Sequence, residues 1–302
     1  MPNFTKGEKC GERELLSKTN EASGNKCSAI MTTSEYSAKH KRRMVLFERQ
    51  FLKPVFNALH SQIQEFIDDI NAHGLEEAKR RLDRIHINAE VAKVIRELFL
   101  TVGLYFIQKT ARELHSPEVK AGFGQNEQWI QELVTYFKEH LLLKVVLPIS
   151  ESTKNQIMEV LIKGEKEGWG VDQIISALQD VDITMNRARL IVRTETTQGM
   201  FYGQQKGIQD SNFETEETWI ATEDDRTRHS HRDMDGKKID TGGLFKVERF
   251  RGNQLVGYDF MAGPGDPSAS IENLANCRCT KVVRVKRDAA GRPIRKQHLT
   301  AA

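Results

Sequence analysis

The stretch from Trp219 to Cys279 holds the densest set of residue types that can do chemistry: Asp224, Asp225, His229, His231, Asp233, Asp235, Asp266, Cys277 and Cys279. Two chemistries are open to them. The first is metal binding. Cys277 and Cys279 lie two apart in a segment that reads as a strand, so both side chains point to one face. With His231, His229, Asp225 or Asp235 from upstream they make a Cys/Cys/His/Asp set of the kind that holds zinc. The ligands of such a site would be His231, Cys277 and Cys279. The spacing is C-x-C rather than the wider spacing of familiar zinc modules, and no second cysteine pair follows. The reading this favours is that the thiols pack as small apolar groups while His231 hydrogen-bonds locally, with no cofactor, and zinc is the alternative.

The second chemistry is catalysis. An Asp beside a His can act as an acid–base pair. That reading gives a metal-dependent enzyme acting on nucleic acid or a nucleotide, centred on Asp225, His231, Asp235, Cys277 and Cys279. Against it, the chain has no nucleophile motif, no glycine loop to cradle phosphate and no HExxH. Arg193 and Glu195 read as a polar cluster where the last long helix meets a smaller domain. Asp225, Arg226 and Arg228 read as charge-assisted hydrogen bonds that tie a loop. The expectation is therefore a set of bracing residues, with no enzyme and no catalytic residue.

The elements that must position these residues are of two kinds. Before Lys206 the chain is patterned for helices. Met44, Phe47, Phe51, Val55, Leu59, Ile63, Phe66 and Ile70 recur every three or four residues, one apolar stripe on a long helix. Pro54 within it predicts a kink or a split, and His73-Gly74 a stop. Ala89 to Leu114 predicts a second long helix. Asn126 reads as the cap of a third, ended by Pro148. Asn186 to Lys206 reads as the last, lined by Arg187, Arg189, Arg193 and Glu195. Beyond Gly207, Glu217 to Thr222, Lys238-Ile239, Leu244 to Val247, Tyr258 to Ala262 and Cys277 to Val285 predict short strands. GPGDPSAS (Gly263 to Ser270) is a stiff loop in which Asp266 can cap exposed amides before a short helix. The fold class is α+β: a helical region over 41–206 and a small α+β domain over 207–287, with unstructured basic ends at 1–40 and 288–302.

Charge sits at the ends. Residues 1–43 hold nine Lys/Arg against five Asp/Glu, and residues 281–302 hold seven against one, while the whole chain is only +3. The body is thus acidic. Basic ends can touch nucleic acid or an acidic protein wall without reading sequence, or can be plain solvated tails. Four cysteines are no disulfide framework in a chain this long, and the opening MPNFTKGEKCGERE lacks an apolar signal core. The longest apolar run, LLLKVVLPI, falls far short of the roughly 20 residues of a membrane span. A soluble chain from a reducing cytoplasm, with no membrane partner, is expected.

One ordered set of residues resembles a known family. Arg193-Thr194-Glu195 is followed by Trp219, then Asp225-x-Arg-x-Arg228-x-x-His231 and Asp235-Gly236. Pro264-Gly265-Asp266 and Asn276-Cys277-Arg278-Cys279 complete it. Over about 174–285 this order resembles the phage Mu protein F-like family of phage head morphogenesis, or minor head, proteins. His229 stands where that family often has proline, so His231 is the matched histidine. The resemblance implies a minor head protein of a tailed phage or prophage, placed in the virion head interior or near the portal after assembly in the host cytoplasm. It implies the portal protein and the procapsid shell or scaffold as partners, with nonspecific contact to packaged DNA. It makes Arg193, Glu195, Trp219, Asp225, Arg228, His231, Asp235, Gly236, Asp266, Cys277 and Cys279 a structural hub. Toxin modules are fused to this domain in parts of the family; the short stretch after Val285 leads us to expect none here.

Overall fold

A computed structural model describes residues 33–82, 87–114, 123–181, 185–222 and 224–296. The helical part consists of α1 (Thr33–His73), α2 (Leu75–Leu82), α3 (Ala89–Glu113), α4 (Phe123–Tyr136), a π-helical stretch (Phe137–Val146), α5 (Leu147–Glu167), α6 (Val171–Gln179) and α7 (Met185–Gln209). After it come β1 (Thr215–Ile220), α8 (His229–Arg232), β2 (Lys238–Asp240), β3 (Phe245–Arg251), β4 (Gln254–Met261), α9 (Ile271–Leu274) and β5 (Thr280–Val285). The fold is α+β, as the patterning predicts.

Several expectations about the helices are corrected. Pro54 neither splits nor ends α1, which runs unbroken from Thr33 to His73. Losing one backbone bond costs about 3 kcal/mol. Phe51, Val55 and Leu59 are buried on either side of the proline, and each such side chain contributes about 1.5–3 kcal/mol. Pro54 itself lies on the exposed side of the helix. Thr33 to His40, expected to lack structure, are the first turns of the same helix, because Tyr36 and His40 are buried there; residues 1–32 lie outside the described set. Asn126 is no cap: it lies inside α4, where its Oδ1 accepts a hydrogen bond of 2.9 Å from Gln108 Nε2. Pro148 does not stop the chain either, since α5 begins at Leu147 and carries it in the first turn. The wider turn ahead of it, with Leu147 N–H on Leu142 C=O, makes room for the ring.

The centre of the helical part is the contact between α3 and α7. Glycines recur every fourth residue along α7, at Gly199, Gly203 and Gly207, and lie against Val102, the Gly103 carbonyl and Thr110 of α3. A Cβ on Gly203 would stand 2.5 Å from the Gly103 oxygen and 2.7 Å from Phe106 Cβ. Neither atom is the end of a flexible side chain, so the helices must part. We expect Gly203→Ala to cost about 1–3 kcal/mol as overpacking, although alanine is the better helix former by about 1 kcal/mol. A urea midpoint at or above wild type would contradict this close approach.

β1 is the middle strand of a three-stranded antiparallel sheet in the order β2-β1-β5, with Trp219 opposite Lys281 and Glu217 opposite Val283. Ile220 and Val282 pack with Tyr36 of α1, and Val283 packs with Leu114 and Ile208. Helices thus cover the sheet on both faces. β3 and β4 form a separate hairpin with a bulge at Arg249/Phe250. Hairpin and sheet enclose a second core of Trp219, Ala221, Met234, Phe245, Val247, Met261, Cys277 and Cys279.

The end expected to be an unstructured basic tail is ordered through Lys296. It turns at Asp288 and returns beside residues 212–214: Lys286 N–H meets Glu214 C=O, Glu214 N–H meets Ile294 C=O, and Lys296 N–H meets Asn212 C=O. Several of its charges are occupied locally. Lys281 pairs with Glu217, Lys286 with Asp240 and Arg292 with Asp288. Lys296 Nζ donates to the Ile208 carbonyl at the end of α7.

Candidate functional site

Within the second core, α8 faces the segment that leads into β5. His231 Nδ1 lies 3.6 Å from Cys277 Sγ and 3.6 Å from Cys279 Sγ. The three side chains are 1–2% exposed. Their donor atoms all fall within 4.8 Å of one another. The ring of Trp219 meets His231 edge-on at 5.4 Å, and Phe245 meets Trp219 in the same way at 5.2 Å.

The cysteine segment is held from below by α7. Asn276 has a left-handed backbone, φ 56°, and its amide donates to Thr194 Oγ1. Arg193 donates from Nη1 to Asn276 Oδ1 and from Nε and Nη2 to Glu48 of α1. Thr197 Oγ1 donates to the Cys277 carbonyl at 2.8 Å. From above, Thr222 Oγ1 donates to the Arg278 carbonyl and Arg228 Nη2 to the Ala275 carbonyl. Cys277 and Cys279 precede β5 rather than lying in it, yet the extended segment keeps both thiols on one side. On the histidine side, Asp235 Oδ1 accepts from Ala221 N–H and Gly236 N–H donates to the Trp219 carbonyl. Gly236 takes φ 74° to turn the chain from α8 into β2.

The two thiols are electrically unequal. A hydrogen bond from the Cys279 thiol, aided by nearby Arg228 and Arg278, holds Cys277 below the usual thiol range. The same bond, with burial, pushes Cys279 well above it. His231 Nε2 is buried without a hydrogen-bond partner among the described residues.

The wider Cys/Cys/His/Asp set does not assemble. Asp225 is exposed and Asp235 is spent on the Ala221 amide, so neither joins His231 and the thiols. His229 and Asp233 pair with each other at 3.0 Å on the exposed side of α8. The loop tie expected of Asp225 falls to Asp224, which takes Arg278, Thr227 and the Arg226 amide. Asp266 does fasten a loop: Oδ2 accepts from Ala262 N–H, and Oδ1 from both the amide and hydroxyl of Ser268. Beside α8, Arg228, Ser230, Phe250, Glu272 and Asn273 line a groove of about 540 Å³.

Two buried polar contacts were not read from the sequence. Lys281 is fully buried, its Nζ 2.5 Å from Glu217 Oε2 and 3.0 Å from the Ala262 carbonyl. The alternation of CRCTKVVRV was the available signal, because it sets Lys281 on the face of Cys279 and Val283. Asp259 is the other: its Oδ2 accepts from the Ser270 hydroxyl and from Asn273 Nδ2, which joins β4 to α9.

Glu195 lies buried on α7, its Oε2 accepting from Gln198 Nε2 at 3.0 Å. Burial pushes its carboxyl up to about 8, only partly opposed by that bond. His40, buried against Tyr36 and Phe106 with Lys109 near, is pushed down to about 3. The two act on stability in opposite senses. The folded state holds the Glu195 proton that the unfolded chain releases near 4.5, so stability falls as pH rises from about 4.5 to about 8. The folded state refuses the His40 proton that the unfolded chain takes up near 6.5, so stability falls as pH drops from about 6.5 to about 3. The slopes cancel between, leaving a plateau. Above pH 6.5 the His40 slope is gone and the Glu195 slope remains, at most about 1.4 kcal/mol per pH unit. We expect Glu195→Gln to remove the decline from pH 6.5 to 8 in urea unfolding; an unchanged decline would contradict the assignment.

Comparison with known proteins bears on this stretch. Residues 155–282 match a family model described as "Phage Mu protein F like protein". The match begins inside α5, ahead of Ile174, and ends at Val282 in β5. A stretch of 126 residues is 28% identical to "NAD(+)--arginine ADP-ribosyltransferase EFV" of Enterococcus faecalis (strain ATCC 700802 / V583), covering 40% of this chain and 24% of that protein. The chain thus spans about a quarter of that relative's length. No solved structure matches. The resemblance to the phage Mu protein F-like family therefore holds over residues 155–282, the stretch that carries α7, the thiol–imidazole centre and the first half of β5.

Proposed function

We propose that this chain is a minor head protein of a tailed phage or prophage, and that it works by assembly rather than by turnover. The family match supports a part in phage head morphogenesis. The observation that carries the nonenzymatic reading is the burial of the thiol–imidazole centre and of the Lys281–Glu217 pair beside it. His231, Cys277, Cys279, Lys281 and Glu217 are each at most 3% exposed and bond to one another or to backbone. Residues so spent hold segments in place and present nothing to a substrate.

On this reading the portal protein and the procapsid shell or scaffold are the partners, and the chain resides in the head near the portal. Any contact with DNA belongs to the basic ends, residues 1–43 and 281–302, although several charges of the C-terminal end are paired within the fold. No helix among the described residues is long and apolar enough to cross a membrane. The test is coexpression of the tagged chain with the portal and shell proteins of the same phage. Copurification of the portal is expected; recovery of the chain alone, folded and at full yield, overturns the portal assignment.

A further inference from the structure

The histidine and two cysteines of the second core have a geometry that their own hydrogen bonding does not explain. An imidazole carries at most one proton on Nδ1. A single N–H can be aimed at one sulfur, yet both sulfurs stand 3.6 Å from that nitrogen. An ion bound by all three atoms explains the equality. Zinc–sulfur bonds near 2.3 Å and a zinc–nitrogen bond near 2.05 Å, set at the tetrahedral angle, separate sulfur and nitrogen by about 3.5–3.6 Å.

We propose that His231 Nδ1, Cys277 Sγ and Cys279 Sγ bind one thiophilic divalent cation, zinc foremost. Charge supports it: two thiolates and a neutral imidazole cancel a divalent ion, so the filled site is neutral inside an apolar core. Binding displaces the two thiol protons to solvent, forms two sulfur–metal bonds and one nitrogen–metal bond, and changes no oxidation state. The described residues offer no fourth side-chain ligand, so a water completes the tetrahedron.

The ion would clip α8 to the segment entering β5, closing a long loop that contains the whole β3–β4 hairpin. That is what a small core with a detached hairpin lacks, and closing a long loop constrains the unfolded chain more than closing a short one. The proposal stands apart from the head-assembly reading, and either can fail without the other.

The test uses the full chain with Cys10→Ser and Cys27→Ser, so that Cys277 and Cys279 are its remaining thiols. It is expressed with zinc supplied and purified without chelator. Elemental analysis is expected to give one zinc per chain, and exchange with cobalt(II) a thiolate-to-cobalt charge-transfer absorption. Further change of Cys277→Ser with Cys279→Ser is expected to abolish both signals. Should that variant fail to fold, the parent measurement decides alone. A folded parent with neither zinc nor the cobalt band overturns the proposal, as does zinc retained after both core cysteines are replaced.

Discussion

Replacing Lys281 by methionine is expected to lower the unfolding free energy by about 3–5 kcal/mol, the range for breaking a buried ion pair from one side. Lys281 is fully buried, its stem against Gly263 and its ammonium 5.5 Å from the Phe201 ring centre. Burial pulls its pKa down, and Glu217 pulls back the other way. Methionine keeps most of the volume and none of the charge. Glu217 then has no cation, and the Ala262 carbonyl keeps only the longer bond from Gln205 Nε2. The loss therefore measures an abandoned carboxylate more than the net worth of the pair. Lys281→Met combined with Glu217→Leu should recover most of it, since apolar replacement of a whole buried pair is often neutral or better. Urea unfolding of the four proteins in this cycle gives the coupling. A single variant within about 1 kcal/mol of wild type, as at a surface pair, would sink the assignment.

Gly265→Ala is expected to be the most damaging single methyl group among the described glycines. Gly265 has φ +88°, and a Cβ there would stand 2.4 Å from the Thr197 carbonyl oxygen and 2.9 Å from its carbon. A left-handed residue with a side chain costs about 1–2 kcal/mol, and forcing a methyl against rigid backbone adds about 1–3 kcal/mol. The strain falls on a residue that matters, because Thr197 also holds the Cys277 carbonyl. Gly252→Ala is the control: φ is +61°, and nothing lies within 4 Å of the added carbon. We expect Gly265→Ala to lose markedly more stability than Gly252→Ala by thermal unfolding. Equal losses would mean that the loop can move away from α7.

These two sites also show where reading the sequence stops. The stripes of α1 and α3 were legible because each buries one apolar face. The central role of α7 was not. It buries Thr194, Glu195, Thr196, Thr197, Gln198 and Gln204 together with close-packed glycines, so no apolar period marks it. Pro54 and Pro148 read as breaks because a local rule is blind to the packing that overrides it. In the C-terminal third, residue types and order found His231, Cys277 and Cys279. They picked these three as the metal set but left Asp225 and Asp235 open as partners of His231 in an acid–base reading, because burial decides that and spacing does not. Lys281 counts among the charges of the basic end although it falls in the expected strand, and pairing with β1 puts it in the interior opposite Trp219.

Quantitative mass spectrometry of purified heads, from a phage that encodes this chain, tests the functional reading most directly. The protein is expected in every preparation, at a few copies per head and far below the major shell protein. Heads that assemble and package normally yet contain none of it would contradict that reading, whatever the thiol–imidazole centre binds.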